Sequence, residues 1–408
     1  MFRAVIFNIL AILLLAACVT TNQREPVIGT ADGTTNQITG PATGGTPMPG
    51  SDALYKADAP GALREPLKVA ILVPQSGANA AIGEALLQAA QLAVFDLNEP
   101  GFELIPKDTK GTPEGTKAAV DEAAREGVKL ILGPLFAQEV EAAKVSARNY
   151  GLTVIGFSTD WRVAGDNVYS MGVLPFGQAE RIADYAARQG LRRIVMVAPR
   201  DMYGDAVGAA FEQTARRYGI TVVKTLRISA DGSDAMTAIN QINASKGQFD
   251  ALFMPVGGQT IHMMAATLKG YGLGSNVVRY LGTGLWDEAT IISDPNMAGA
   301  IYAAPSPSIR AGFERNYQRI YGATPPRLAS IGYDSAALAI VLAKNATIAN
   351  QRVSFDRAAL TNPNGFSGVD GIFRFGQNGL AERGMAILQI AGGHANMVEP
   401  APASFLAK

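Results

Sequence analysis

The chain has 408 residues, 48% of them apolar, with 35 Lys and Arg against 35 Asp and Glu, and a single cysteine. That balance implies no basic face for nucleic acid, and one cysteine excludes an internal disulfide. The length suffices for one large two-lobed unit or two ordinary domains after any leader is set aside.

In chain order, the first element is a leader. Arg3 is the lone positive charge before Ala4–Ala17, an apolar run broken only by Asn8 that stops at small residues just before Cys18. This is the layout of a secretory signal over residues 1–17, and it is short for a membrane span, which takes roughly 17–25 mainly apolar residues. Leu15-Ala16-Ala17-Cys18 resembles the lipobox of bacterial lipoproteins. The resemblance implies cleavage before Cys18 and lipidation of its thiol, anchoring the chain in the membrane. Buried acyl chains contribute about 0.8 kcal/mol per CH₂. Val19, where an inner-membrane lipoprotein would carry Asp, points under the same resemblance to the periplasmic side of the outer membrane. Residues 18–65 follow as a Gly-, Thr- and Pro-rich linker, with only Ile38 and Met48 as larger apolar residues between Gly29 and Ala53. Such a segment cannot bury enough surface to offset its ordering entropy.

From Pro66 onward, short β-branched and apolar runs of buried-strand type recur at Leu67–Val73, Lys129–Leu132, Leu152–Phe157, Ile194–Ala198, Thr221–Ile228, Ala251–Pro255 and Val277–Leu281. Helical patterns alternate with them, as where Ile82, Leu86, Ala89, Ala93 and Leu97 recur at three- and four-residue steps. The alternation predicts an α/β fold of parallel, doubly wound sheets. Val69–Gln88 and Ile194–Gln213 share the order strand, proline, polar loop, glycine, helix, a weak internal repeat that suggests two such lobes. Near the C-terminus, Asn378-Gly379 predicts a hairpin turn, with Gly371–Phe375 and Met385–Ile390 as its arms.

Val73-Pro74-x-Ser76-Gly77, Gly83, Ile131-Leu132-Gly133-Pro134, Val154–Ser158, Tyr203-Gly204 and Gly332-Tyr333-Asp334 together resemble type I periplasmic binding proteins of the leucine/isoleucine/valine-binding group. The resemblance implies two Rossmann-like lobes joined by crossovers near Pro175, Pro305–Pro307 and Ile348–Val353. Lobe one would hold residues 66–175 plus 300–347, and lobe two 176–299 plus 348–400. The tail GFSGVDGIFRFGQNGLAERGMAILQI (365–390), on a lipid-anchored chain, resembles the penicillin-binding protein activators, lipoproteins that stimulate peptidoglycan synthases. Val19–Glu65 has no room for the helical-repeat domain that precedes this module in the enterobacterial activators.

Ligands of doubly wound sheets sit at the carboxyl ends of the strands, where loops turn into helices. The candidate ligand-binding residues in those loops are Ser76, Gly77, Phe136, Ala137, Ser158, Thr159, Tyr203, Gln259, Trp286 and Asp287. Trp161 and Trp286 are expected to face one cleft from opposite lobes. In amino-acid-binding members of the family, hydroxyls in the second and third loops hold the ligand carboxylate. Ser158 and Thr159 match the third loop, but Ala137 stands about where the second would present a serine, and Val256-Gly257-Gly258 offers no tyrosine for an ammonium. Asp287 could still pair with one.

Catalysis is not expected. Gly156-Phe157-Ser158-Thr159-Asp160 lacks the final glycine of a nucleophile elbow, and Gly111–Lys117 lacks the ending of a phosphate loop. The two histidines, His262 and His394, sit apart from any metal-ligand spacing, so neither a metal nor a cofactor is implied. Two functions stay open: a tethered regulator that contacts a peptidoglycan synthase, or a substrate-binding protein that hands an amino acid or related solute to an ABC importer permease.

Overall fold

Leu67–Val73 (β1) owes its place to alternation: Val69, Ile71 and Val73 point into one apolar cluster, while Ala70 and Leu72 point into another on the opposite side. A strand buried on both faces needs helices above and below it. The computed structural model describes residues 65–405. The signal, Cys18 and the linker up to residue 64 lie outside the described residues.

Lobe one continues through α1 (Ala80–Leu97), β2 (Phe102–Asp108), α2 (Pro113–Arg125), β3 (Leu130–Leu132), α3 (Ala137–Asn149), β4 (Thr153–Gly156) and β5 (Val168–Ser170). Its strands pair in parallel in the order β2-β1-β3-β4-β5. The chain then passes through Met171–Leu174 into α4 (Pro175–Arg188), where Pro175 sits in the first turn, a position that needs no N–H donor. Lobe two follows as β6 (Arg193–Pro199), α5 (Met202–Arg217), β7 (Thr221–Ile228), α6 (Ala235–Ala244), β8 (Ala251–Phe253), α7 (Gly258–Gly270), β9 (Arg279–Gly282), the short α8 (Ala289–Ile292) and β10 (Ile301–Ala304). After Pro305 and Ser306 come α9 (Pro307–Tyr321), α10 (Ala329–Ile348), the short α11 (Arg357–Leu360), β11 (Phe366–Gly368), β12 (Gly371–Phe375), β13 (Ala381–Arg383), β14 (Ala386–Ala391) and β15 (His394–Glu399). The lobe-two sheet runs β15-β14-β10-β9-β8-β6-β7, with neighbours parallel except at the antiparallel pairs β10–β14 and β14–β15. This is the α/β architecture of parallel sheets flanked by helices that strand and helix alternation predicts.

The division of the C-terminal third differs from the expectation. Residues 301–304, placed in lobe one from the sequence, form β10 beside β9 in the lobe-two sheet. Residues 348–383, placed in lobe two, stay with lobe one: Phe355, Leu360, Phe373, Phe375 and Ala381 share a core with Val69, Ile71 and Ile155. The last passage between lobes is therefore at Gly384-Met385, where Met385 and Ile387 join the lobe-two core, and not at Ile348–Val353. The Asn378-Gly379 turn is present, with Gly379 at φ +77° and Gly376 N–H bonded to Leu380 O. The arm opposite β12 is Ala381–Arg383, whereas Met385–Ile390 falls largely in β14 and pairs with β10. β11, β12 and β13 form a separate three-stranded sheet whose inward phenylalanines cover lobe one.

The internal repeat has a steric basis. A Cβ on Gly83 would lie 1.8 Å from Pro74 O, and one on Gly204 would lie 2.0 Å from Pro199 O. In each lobe the first helix thus meets the carbonyl of the proline that ends the preceding strand, an approach only glycine allows. The spatial counterpart of Gly83 is Gly204, one helical turn before Gly208, which the sequence alignment of the repeat would select.

Where the chain passes between lobes, a buried charged network joins the segments. Arg383 Nη1 donates to Asp334 Oδ2 (3.2 Å) and Nη2 to Met171 O (3.1 Å). Arg310 Nη1 donates to Asp370 Oδ1 (2.9 Å) and to Ser330 Oγ (3.0 Å), and Ser330 Oγ donates to Asp370 Oδ2 (2.6 Å).

Candidate functional site

The loops at the carboxyl ends of β1, β3 and β4 in lobe one, and of β6, β8 and β9 in lobe two, present the candidate residues. After β1, Ser76 is turned into its own lobe: its Oγ donates to Asp108 Oδ2 (2.6 Å), while the N–H groups of Gln75 and Lys110 donate to Asp108 Oδ1 (2.8 and 2.7 Å). Burial pushes the Asp108 carboxyl up, but the hydrogen bonds from Ser76, Lys110 and Gln75 outweigh it and hold the group below its ordinary range. Gly77 has φ +80°, which only glycine adopts without strain.

After β3, Gly133 lies at φ +85°, and a Cβ there would be 2.2 Å from Leu72 O. Phe136 caps α3 and Ala137 is its first residue; both are half-buried, and Ala137 brings no hydroxyl to the loop. The sequence reading missed Glu139, which is 1% exposed. Its Oε2 accepts the Phe136 N–H at 3.1 Å. Burial pushes this carboxyl up; Thr109, the Phe136 N–H and Thr116 pull it down; and the nearby Asp108 charge pushes it up again, leaving it raised. Glu three residues after a cap position is a helix-start signature that could have marked it.

After β4, Ser158 is buried, and its Oγ accepts the Asp160 N–H (3.0 Å), whereas Thr159 is exposed. A 3-10 turn, Trp161–Val163, carries Trp161 out to meet Phe176 of α4 edge-to-face, with ring centroids 5.1 Å apart.

In lobe two, Tyr203 at the start of α5 shares a 2.8 Å hydrogen bond with the buried Thr283 after β9. Burial pushes the Tyr203 phenol up to about 12, against a smaller downward pull from Thr283. Gln259 is exposed in the first turn of α7, whose cap residue is Gly257. Trp286 departs from the expected cleft-facing position. It is fully buried among Val256, Tyr280 and Tyr302, with its indole N–H donating to Val256 O (2.8 Å) and its ring where a Gly282 side chain would otherwise lie. An indole has enough apolar area to be drawn into a core when a carbonyl is at hand for its N–H. Asp287 accepts from Tyr302 OH at 3.1 Å and is ion-paired with Arg327 from the loop before α10. The buried Gln178 of α4, also missed, accepts the Gly284 N–H at 2.6 Å.

The structure thus joins Tyr203 to the β9 loop through Thr283, and brings Trp161 of lobe one against Phe176 at the start of lobe two. Ser76, Ser158 and Asp287 are each engaged with groups of the fold. A free amino acid has a carboxylate in need of donors and an ammonium in need of acceptors. Hydroxyls and carboxylates that already serve one another must be released before they can serve it.

The family model of periplasmic binding proteins matches residues 66–395. The Leu/Ile/Val-binding protein BraC3 of Rhizobium johnstonii is 24% identical over 239 residues, which cover 53% of this chain and 64% of that protein. The penicillin-binding protein activator LpoA of Enterobacter sp. is 28% identical over 125 residues, covering 30% of this chain and 17% of that protein. The matched segments thus span less than two thirds of the length of these curated relatives. Among solved structures, a candidate branched-chain amino acid ABC transporter protein from Rhodospirillum rubrum superposes with a TM-score of 0.74 at 18% identity, covering 82% of this chain and all of that one. That likeness is one of fold.

Proposed function

The chain belongs to the periplasmic binding protein family, and from that premise we propose that it is a tethered regulatory module. Held by Cys18 at the periplasmic side of the outer membrane, it contacts and activates a peptidoglycan synthase and does not deliver an amino acid. The observation that carries this reading is the internal engagement of the cleft's polar groups. Asp287, the one acidic candidate for an ammonium, is held by Arg327 and Tyr302. Tyr203 is held by Thr283, Ser76 by Asp108, and Ala137 replaces a hydroxyl. The similarity to an activator and the tail over 365–390 support the same reading.

The test pairs two measurements on the full-length protein. Purified peptidoglycan synthase should be retained by it and polymerise glycan strands faster in its presence. Leucine, isoleucine, valine and glutamate should leave its melting temperature unchanged, although a ligand at a hundred times its Kd would add about 2.7 kcal/mol. The second reading, delivery of a solute to an ABC importer, is favoured by the Leu/Ile/Val-binding relative. A melting shift with any of these amino acids, together with failure to retain the synthase, would replace the first reading by the second.

A further inference from the structure

The amino ends of the two sheets differ in charge although they are built alike. Helices run back along parallel strands, so the last turn of each helix lies beside the start of the next strand. From the last turn of each α-helix to the second residue of the strand that follows, lobe one carries Arg125, Lys129 and Arg148 against Asp96, Glu99, Glu103, Glu122 and Glu126. The same stretches of lobe two carry eight cations against Asp250 and Asp294. Arg188, Arg192 and Arg193 fall from the end of α4 to the start of β6, and Arg216 and Arg217 at the end of α5. Lys246 follows α6, Lys269 ends α7 and Arg279 starts β9. Cations at helix carboxyl ends offset the helix dipole. Lobe one has such ends too and an excess of acidic groups beside them, so dipoles do not account for the difference.

Little of this charge is neutralised locally. Asp250 is paired with Arg193, Asp294 with His262, and Arg188 with Asp184 and Glu399. Arg216 stands 3.9 Å from Glu212. Among the described residues Arg192, Arg217, Lys246, Lys269 and Arg279 have no acidic partner, and all five are exposed. Three of them are nevertheless held in place: Arg192 Nη1 donates to Tyr218 O (2.9 Å), Lys246 Nζ to Tyr271 O (3.1 Å) and Arg279 Nη1 to Gly299 O (3.3 Å). Tyr218 and Tyr271 are themselves exposed, as is Val277 in the loop before β9. Arginine and tyrosine are the residue types enriched where proteins meet.

The carboxyl-end loops of the two lobes meet, Asp287 with Arg327 and Trp161 with Phe176, so the amino ends of the sheets form opposite poles. The described residues begin at Glu65, beside the amino end of β1, on the lobe-one pole. The cationic pole is the far one. A chain held from its amino-terminal side presents that pole away from the point of attachment, toward a protein and not toward the anchoring membrane. We propose that the lobe-two pole docks on an acidic face of a partner protein; on the regulatory reading above, from which this follows, the partner is the peptidoglycan synthase. Complementary charge of this kind steers encounter and makes association sensitive to salt.

The experiment measures binding of purified synthase to the full-length protein from about 50 to about 300 mM salt. Affinity should fall across that range. Arg217→Glu with Lys269→Glu changes two side chains that make no hydrogen bond or ion pair among the described residues, and should weaken binding about tenfold, chiefly through slower association, with a shallower salt dependence. Arg125→Glu with Lys129→Glu makes the same change of net charge at the lobe-one pole and should stay within about twofold of the unsubstituted protein. Equal weakening by both double variants, or none by the lobe-two variant while the synthase is still retained, would overturn the docking face and leave the regulatory reading standing. No retention of the synthase by the unsubstituted protein would overturn both. Phosphatidylglycerol vesicles supply the remaining arm: binding that the lobe-two variant loses, with synthase affinity unchanged, would assign the pole to an anionic membrane and overturn the protein partner.

Discussion

Replacing Arg383 by Met tests whether the buried charged network of lobe one, at the passages to lobe two, is held as described. Methionine approximates the length of the arginine stem, so the change removes charge with little loss of volume. The side chains of Arg383 and Asp334 are 2% and 0% exposed, and the pair is 3.2 Å apart. Burial pushes the Asp334 carboxyl up, Arg383 pulls it down, Asp370 pushes it up again and the Val369 N–H pulls it down, which leaves it pushed up to about 6 from an ordinary 3.8. The folded state therefore keeps a proton that the unfolded chain loses, so stability falls as pH rises between the two values, by roughly 3 kcal/mol, and is level above about pH 6. Without Arg383 the proton is held to higher pH. The variant should go on losing about 1.4 kcal/mol per pH unit above pH 6, where the unsubstituted protein is level. At pH 7 this term, the bond to Met171 O and the guanidinium contact with Phe373 together amount to about 3 kcal/mol, the lower end for breaking a buried pair. Urea unfolding of both proteins at pH 6, 7 and 8 measures the difference. Adding Asp334→Asn to the variant should abolish its extra slope. Parallel pH dependences for Arg383→Met and the unsubstituted protein would refute the reasoning.

Two glycine substitutions should have opposite signs. Gly83→Ala drives a Cβ to 1.8 Å from Pro74 O and should cost about 3 kcal/mol or more, while Gly312→Ala, in α9 with nothing within 4 Å, should stabilise by about 0.5–1 kcal/mol; thermal melts distinguish them. Glu139→Gln removes a carboxyl whose raised pKa makes stability fall as pH rises past the unfolded value of about 4.5. The variant should therefore gain on the unsubstituted protein between pH 4 and 7.5, and a difference in melting temperature that does not grow over that range would contradict the buried placement. Cys18→Ser should shift the protein from the membrane to the soluble or unprocessed fraction on fractionation, and normal processing with membrane retention would refute lipidation at that residue.

Much of the lobe architecture was legible because it is written in local patterns. Leu67–Val73 and Thr221–Ile228 form strands over the expected residues, and Asn378-Gly379 turns where its chemistry requires. The conflict between Ala137 and a carboxylate-binding hydroxyl was also visible in single residues. What escaped depended on partners remote in the chain. Ala381–Arg383, with Glu382 outward, carries too little apolar signal to compete with Met385–Ile390 as the hairpin arm, yet it pairs with β12 because Ala386–Ala391 finds β10 of the other lobe. Trp286 has the same local context as Trp161, a short turn after a strand. Gly282 leaves room for the Trp286 ring in a core and Val256 offers its carbonyl, while Trp161 meets Phe176 across the lobes. Glu139, Gln178 and Asp334 read as ordinary polar helix residues until distant segments cover them. Period and turn chemistry are properties of a few consecutive residues, so most of the strands, helices and turns, and with them the α/β class, can be read from the chain alone. Which apolar face meets which, and which polar groups are sealed beneath it, is a competition among segments hundreds of residues apart, resolved when the chain packs.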